Sequence, residues 1–175
     1  MEERNLLFIC GFMASGKSTH GKQLARNIGY HFIDLDDYTE TKFDQNITEL
    51  FKEKGEVEFR NIETESLKEC IRDNRKTVIA LGGGTPCFNH NLELIKASGK
   101  LIYLKMDPEA LYKRVFGIKA QRPLLASQED KEMLQYIETL LKAREAFYSQ
   151  ADLVIHNNNL QEEEMKEAVV HFMSS

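Results

Sequence analysis

Short apolar runs alternate along the chain with stretches whose apolar residues recur at helical spacing. Four runs are rich in β-branched or aromatic residues and bounded by turn residues: Leu6 to Cys10, His31 to Asp34, Thr77 to Leu81 and Lys100 to Lys105. They predict buried strands, and Asp152 to His156 is a weaker fifth. Lys17 to Asn27 predicts a helix that stops at Gly29. Glu56 to Asn74 places Phe59, Ile62, Leu67, Cys70 and Ile71 on one helical stripe. Asp107 and Pro108 open another helix with a capping residue followed by proline. Gln128 to Tyr148 and Gln161 to Phe172 are amphipathic, the latter through Met165, Ala168, Val169 and Phe172. Strands alternating with helices imply βαβ units and a parallel sheet covered on both faces, a three-layer α/β/α fold. Ligands of such sheets bind at the carboxyl ends of the strands.

Composition narrows the classes. At 175 residues, one domain spanning 1–175 is expected. The net charge of −5 argues against a broad basic face, so no nucleic-acid partner is expected. An anionic ligand then needs a locally cationic pocket. No apolar run approaches the ~20 residues of a membrane span, and the start carries no signal-peptide pattern. Cys10, Cys70 and Cys87 form no CxxC pair, which reads as reduced thiols in a cytoplasmic protein. The five histidines are scattered and suggest no zinc site.

The strongest motif is Gly11-Phe-Met-Ala-Ser-Gly16-Lys17-Ser18, which fits G-x-x-x-x-G-K-[ST] between an apolar strand and a helix. Glycines let successive backbone N–H groups face a phosphate, and the helix aims its positive end at the same place. Lys17 is expected on the β- and γ-phosphates of ATP, and Ser18 on Mg²⁺. No N-K-x-D base-reading motif appears, which argues against a GTPase.

Other clusters are less specific. Asp34 and Asp36 are two apart and would share one face of an extended strand, where one could hold Mg²⁺ through water and one could accept a hydroxyl proton. The same residues also suit a plain acidic helix start capped by Asp36 or Asp37. Gly82-Gly83-Gly84 allows close approach of a ligand or a tight turn alone. Arg60 and Glu63 stand at i and i+3 on a helix, either as a surface pair or with the guanidinium fixed to grip a carboxylate. Arg122, in Gln-Arg-Pro-Leu-Leu, and Arg144 read either as surface residues or as a lid arginine and a second anion ligand.

Taken in order, GFMASGKST, FIDLDD, GEVEFRNIE, ALGGGTP, QRPLL and LLKAREAFYSQAD resemble the motifs of the shikimate kinase family along nearly the whole chain. The resemblance implies a P-loop NTPase of the nucleoside monophosphate kinase-like type with a five-stranded parallel sheet. It implies a substrate-binding segment at roughly 35–63 and a lid at roughly 115–127. It implies phosphoryl transfer from ATP to the 3-hydroxyl of shikimate, with ATP and Mg²⁺ required, and a monomer is expected. Carried over by position, Ala14, Ser15, Gly16, Lys17, Ser18 and Thr19 cradle the nucleotide phosphates. Ser18 and Asp34 hold Mg²⁺, and Asp36 binds the shikimate hydroxyls as candidate base. Arg60 and Arg144 grip the carboxylate, Glu63 orients Arg60, Gly82, Gly83 and Gly84 contact substrate, and Arg122 reaches the phosphates. Two departures stand out: alanine at 14, where the family favours glycine and where φ > 0 would be strained, and Ala146 in place of a proline. Arg114 and Asn157 to Asn159 fall near the expected adenine end, without an assigned role.

Overall fold

In the computed structural model, residues 5–116 and 132–175 are described. Five parallel strands lie in the order β2-β3-β1-β4-β5: β1 Leu6–Cys10, β2 His31–Asp34, β3 Thr77–Ala80, β4 Lys100–Lys105 and β5 Leu153–His156. The helices are α1 Lys17–Ile28, α2 Leu35–Phe43, α3 Ile47–Asp73, α4 Asn91–Ser98, α5 Pro108–Phe116, α6 Met133–Tyr148 and α7 Glu162–Ser174. All five predicted strands are present, and the weak fifth pairs with β4 at Leu104↔Ile155.

β1 is buried along its whole length because it is the central strand and has helices on both faces. Its side chains divide by alternation. Leu6, Phe8 and Cys10 pack with Leu67, Ile71, Leu101, Tyr103 and Tyr148, while Leu7 and Ile9 pack with Leu24, Val78, Ile102, Met165 and Val169. Each such apolar side chain contributes about 1.5–3 kcal/mol by leaving water. Burial pushes the Cys10 thiol up to about 12 and the Cys87 thiol up to about 11, so both stay protonated at neutral pH.

Helix boundaries follow local signals. α1 ends at Gly29, whose φ of 72° suits glycine. α5 begins at Pro108, as expected. α3 extends well before Glu56, starting from a capping box in which the Asn46 side chain accepts from Glu49 N. It bends at Gly55, whose φ of 77° and ψ of 169° interrupt the helix just before the predicted start. α6 runs from Met133, and the predicted residues 128–131 lie outside the described set. α2 and α4 are two helices beyond those that periodicity predicts.

β1 pairs with β3 on one side and β4 on the other; the connection from β1 runs to β2 beyond β3, and the connection from β3 crosses back over β1 to β4, all strands being parallel. The loop after β1, the end of β2 and the turn after β3 therefore meet at one edge of the sheet.

Candidate active site

The loop after β1 turns through two left-handed residues, Ala14 at φ 64° and Gly16 at φ 90°. Lys17 opens α1, and its ammonium donates to the carbonyls of Gly11 at 3.0 Å and Phe12 at 2.9 Å. These bonds hold the charge beside the loop. Ala14, Gly16, Lys17, Ser18 and Thr19 line a cavity of about 350 Å³ together with Asp34, Asp36, Gly82, Gly83 and Arg114. Ser15 is placed differently. Its N–H donates to Phe12 O at 3.1 Å, its carbonyl accepts from the Asn157 side chain, and its own side chain is fully buried.

Asp34 ends β2 and caps α2. Its Oδ1 accepts from the N–H of Asp36 at 3.0 Å and of Asp37 at 3.4 Å, and its Oδ2 accepts from the Ser18 hydroxyl. Two expectations are corrected here. The cap is neither Asp36 nor Asp37, and the Asp34/Asp36 pair does not share a strand face, because α2 has already begun at Leu35. The strand-to-helix junction brings both carboxylates to the cavity instead. Ser18 and Asp34 thus present a hydroxyl and a carboxylate oxygen to one point at the start of α1. That is a hard donor pair suited to Mg²⁺, which takes oxygen ligands and keeps several waters. A second cavity of about 590 Å³ shares Ser18, Asp34 and Asp36 with the first and continues to Glu40 and Lys52.

The glycine run after β3 is the hub of the remaining residues. A Cβ on Gly82 would lie 2.6 Å from Glu63 Oε1 and 3.0 Å from Asp36 Oδ1. One on Gly83 would lie 3.2 Å from Arg144 Nη1, and one on Gly84 would lie 2.8 Å from both terminal nitrogens of Arg60. None of the three has positive φ. They are glycines for space, although they also form a turn. Asp36, Arg60, Glu63 and Arg144 are therefore gathered around three consecutive backbone units.

Arg60 is 6% exposed, and its Nη1 donates to Glu63 Oε2 at 2.9 Å. This is a buried pair, not a solvated one. Burial raises the Glu63 pKa, while the Arg60 charge and the Thr85 hydrogen bond oppose the rise. Arg144 is 5% exposed, and its Nη1 has no hydrogen-bond partner among the described residues. Arg122 and nearly all of the expected lid at 115–127 lie outside the described residues.

A family model described as Shikimate kinase matches residues 13–174. The chain belongs to the shikimate kinase family. It is accordingly a phosphotransferase that phosphorylates shikimate with ATP, in the shikimate pathway. The shikimate kinase of Bacteroides thetaiotaomicron is 39% identical over 156 residues, covering 89% of each chain. That of Azobacteroides pseudotrichonymphae is 41% identical over 148 residues, covering 85% of this chain and 87% of its own. Among solved structures, a shikimate kinase from Acinetobacter baumannii in complex with shikimate superposes with TM-score 0.90 at 31% identity, covering 99% of this chain and 94% of its own. A gluconokinase from Sinorhizobium meliloti, at TM-score 0.65 and 14% identity, shares the fold.

The sequence assigns no role to two residues of this kinase site, Tyr148 and Asn157, although Asn157 falls in the run near the expected adenine end. Tyr148 is fully buried, and its hydroxyl donates to the Gly83 carbonyl. Burial pushes its phenol up, so it remains protonated and a donor. It stands one helical turn after Arg144 on α6, and that spacing is the signal that could have found it. Asn157, 1% exposed at the end of β5, holds the Ser15 carbonyl.

Proposed function

We propose that the residues gathered at this sheet edge transfer the γ-phosphoryl group of ATP to the 3-hydroxyl of shikimate. The observation that carries the assignment of roles is the buried Arg144 Nη1, without a hydrogen-bond partner among the described residues and facing the same glycine turn as Arg60. A buried guanidinium N–H left without an acceptor is costly, and a substrate carboxylate is the natural acceptor for it. Arg60 and Arg144 grip that carboxylate, and Gly83 contacts the ring between them. Asp36 accepts the proton of the 3-hydroxyl as its oxygen bonds to the γ-phosphorus and the bond to the ADP oxygen breaks. Lys17 and the N–H groups at the start of α1 neutralise the phosphates, and Ser15 shapes the loop that presents them. Ser18 and Asp34 would hold Mg²⁺, whose charge offsets that of the β- and γ-phosphates when bound. Arg122 is assigned by resemblance to the nucleotide phosphates as a lid residue. The enzyme is further taken to be cytoplasmic, in keeping with its free thiols, and to act as a monomer.

The test is ADP release with shikimate, gluconate or a nucleoside monophosphate as acceptor. Shikimate-dependent ADP release that falls by orders of magnitude in Lys17→Ala is expected. Arg144→Ala should mainly raise the KM for shikimate, since its contact is made in the ground state. An unchanged KM in that variant would refute the carboxylate role.

A further inference from the structure

The turn that follows the glycine run touches Arg60 from directions the roles above leave unused. The Arg60 guanidinium carbon sits 4.3 Å from the centroid of the Phe88 ring, closer than the 5.3 Å to Phe59. A guanidinium over an aromatic face is held both by the ring's charge distribution and by stacking, most strongly where water is excluded. On the guanidinium's edge stands Glu63, whose second oxygen Oε1 accepts from the Thr85 hydroxyl at 2.6 Å. The Thr85 carbonyl in turn accepts from the Asn91 side chain at 2.9 Å, and Asn91 is fully buried. Gly84, the residue before Thr85, supplies the clearance beneath both terminal nitrogens. Three residues of one short segment, Gly84, Thr85 and Phe88, thus bear on a single side chain.

We propose that Phe88 and Thr85 are positioning residues for shikimate recognition: Phe88 closes one face of the Arg60 guanidinium and Thr85 fixes Glu63 on its edge, so the guanidinium plane is held toward the substrate carboxylate. A planar fork pays less to bind a carboxylate when its plane is set in advance. This role rests on Arg60 being a carboxylate ligand. The segment from Gly82 to Phe88 then serves the acceptor twice, first through backbone at the glycines and then through side chains that never touch the substrate.

Steady-state kinetics with shikimate and with its methyl ester, which lacks the carboxylate charge, tests this. Phe88→Leu and Thr85→Val should each raise the shikimate KM by about 5-fold, the scale of one partly desolvated cation–π or hydrogen-bond contact. They should leave kcat and the ATP KM within about twofold and the ester's kcat/KM nearly unchanged. Phe88→Tyr and Thr85→Ser should restore the shikimate KM. Equal losses for acid and ester, or a fall in kcat alone, would show a merely structural role and overturn the proposal. Arg60→Ala separates the two levels. If it leaves the acid-to-ester preference intact, Arg60 is not the carboxylate ligand. If it abolishes that preference while Phe88→Leu and Thr85→Val do not change it, only the positioning role fails. Should Phe88→Leu not fold, Thr85→Val and its serine rescue decide.

Discussion

Arg144 Nη1 lies 3.2 Å from the position a Cβ would occupy on Gly83. The Met13 backbone nitrogen lies 3.3 Å from the same position. Gly83 thus sits close to both the phosphate loop and the arginine of α6, and the Tyr148 hydroxyl holds its carbonyl. Loop, glycine turn and helix are held in mutual register by contacts that a single methyl group would disturb.

Gly83→Ala should therefore raise the shikimate KM by about tenfold. A clash of a few tenths of an ångström displaces the guanidinium, and tenfold corresponds to about 1.4 kcal/mol of lost binding. The ATP KM should change less, because Lys17 and Ser18 are held by other partners. Steady-state kinetics in both substrates checks this, and a wild-type shikimate KM would show that the close approach is not why glycine stands there.

Asp34 does two jobs that substitution can separate. Asparagine caps helices about as well as aspartate, so Asp34→Asn should leave thermal stability nearly unchanged while raising the Mg²⁺ needed for half-maximal rate by about tenfold or more. Asp34→Ala loses the cap as well and should cost about 1 kcal/mol of folding stability in addition. Mg²⁺ titrations of activity beside thermal melts distinguish the two variants. Equal Mg²⁺ dependence in wild type and Asp34→Asn would remove Asp34 from the metal site.

His20 predicts a pH dependence of stability. Burial, followed by the nearby Arg114 charge, lowers its pKa, against a hydrogen bond that the imidazole donates to Asn157 and the charge of Glu162. A histidine whose folded pKa lies below its unfolded value binds its proton less tightly when folded. Its contribution to stability is then complete above the unfolded value of about 6.5 and is lost as pH falls through the folded one. The melting temperature should decline on acidification below about pH 6.5, and part of that decline should vanish in His20→Gln. Parallel melting curves for the two proteins between pH 5 and 8 would contradict it.

The chain declares some of this openly and conceals the rest. Buried strands are legible because a central parallel strand needs apolar residues on both faces, and LLFIC has them. The phosphate loop is legible because few residues can fill its turns. α2, with the sequence LDDYTETKF, sends only Leu35 and Tyr38 to the core cluster and starts from the Asp34 cap, too short an apolar pattern for periodicity to find. The Glu56–Asn74 pattern captures only the half of α3 beyond the Gly55 bend. Tyr148 and Asn157 act on carbonyls 65 and 142 residues away in the chain. Apart from the i+4 spacing of Tyr148 from Arg144, nothing local to a tyrosine or an asparagine announces such a partner. Arg60 and Arg144 could be read as surface residues until the fold buried them against the glycines.

Ala14 is where this chain departs from glycine in a loop that demands an unusual backbone. Its φ of 64° places an L residue in the left-handed region, at a cost of about 1–2 kcal/mol from contact between Cβ and the following carbonyl. Glycine would relieve that contact but would lose more freedom on folding, by about 0.5–1 kcal/mol. The two effects oppose each other, and the strain is the larger. Ala14→Gly should therefore stabilise the fold by about 0.5–1 kcal/mol, which for a chain of this size raises the melting temperature by about 2–4 °C per kcal/mol. The Ala14 side chain packs against the apolar cluster that includes Phe12, Leu111 and Val115, so its removal also gives up a small apolar contact, which places the gain at the lower end of that range. Turnover should hardly change, because the loop's backbone path is already the one glycine prefers. A melting temperature lower than that of the wild type would mean that packing against this apolar cluster, and not backbone strain, decides the residue at this position.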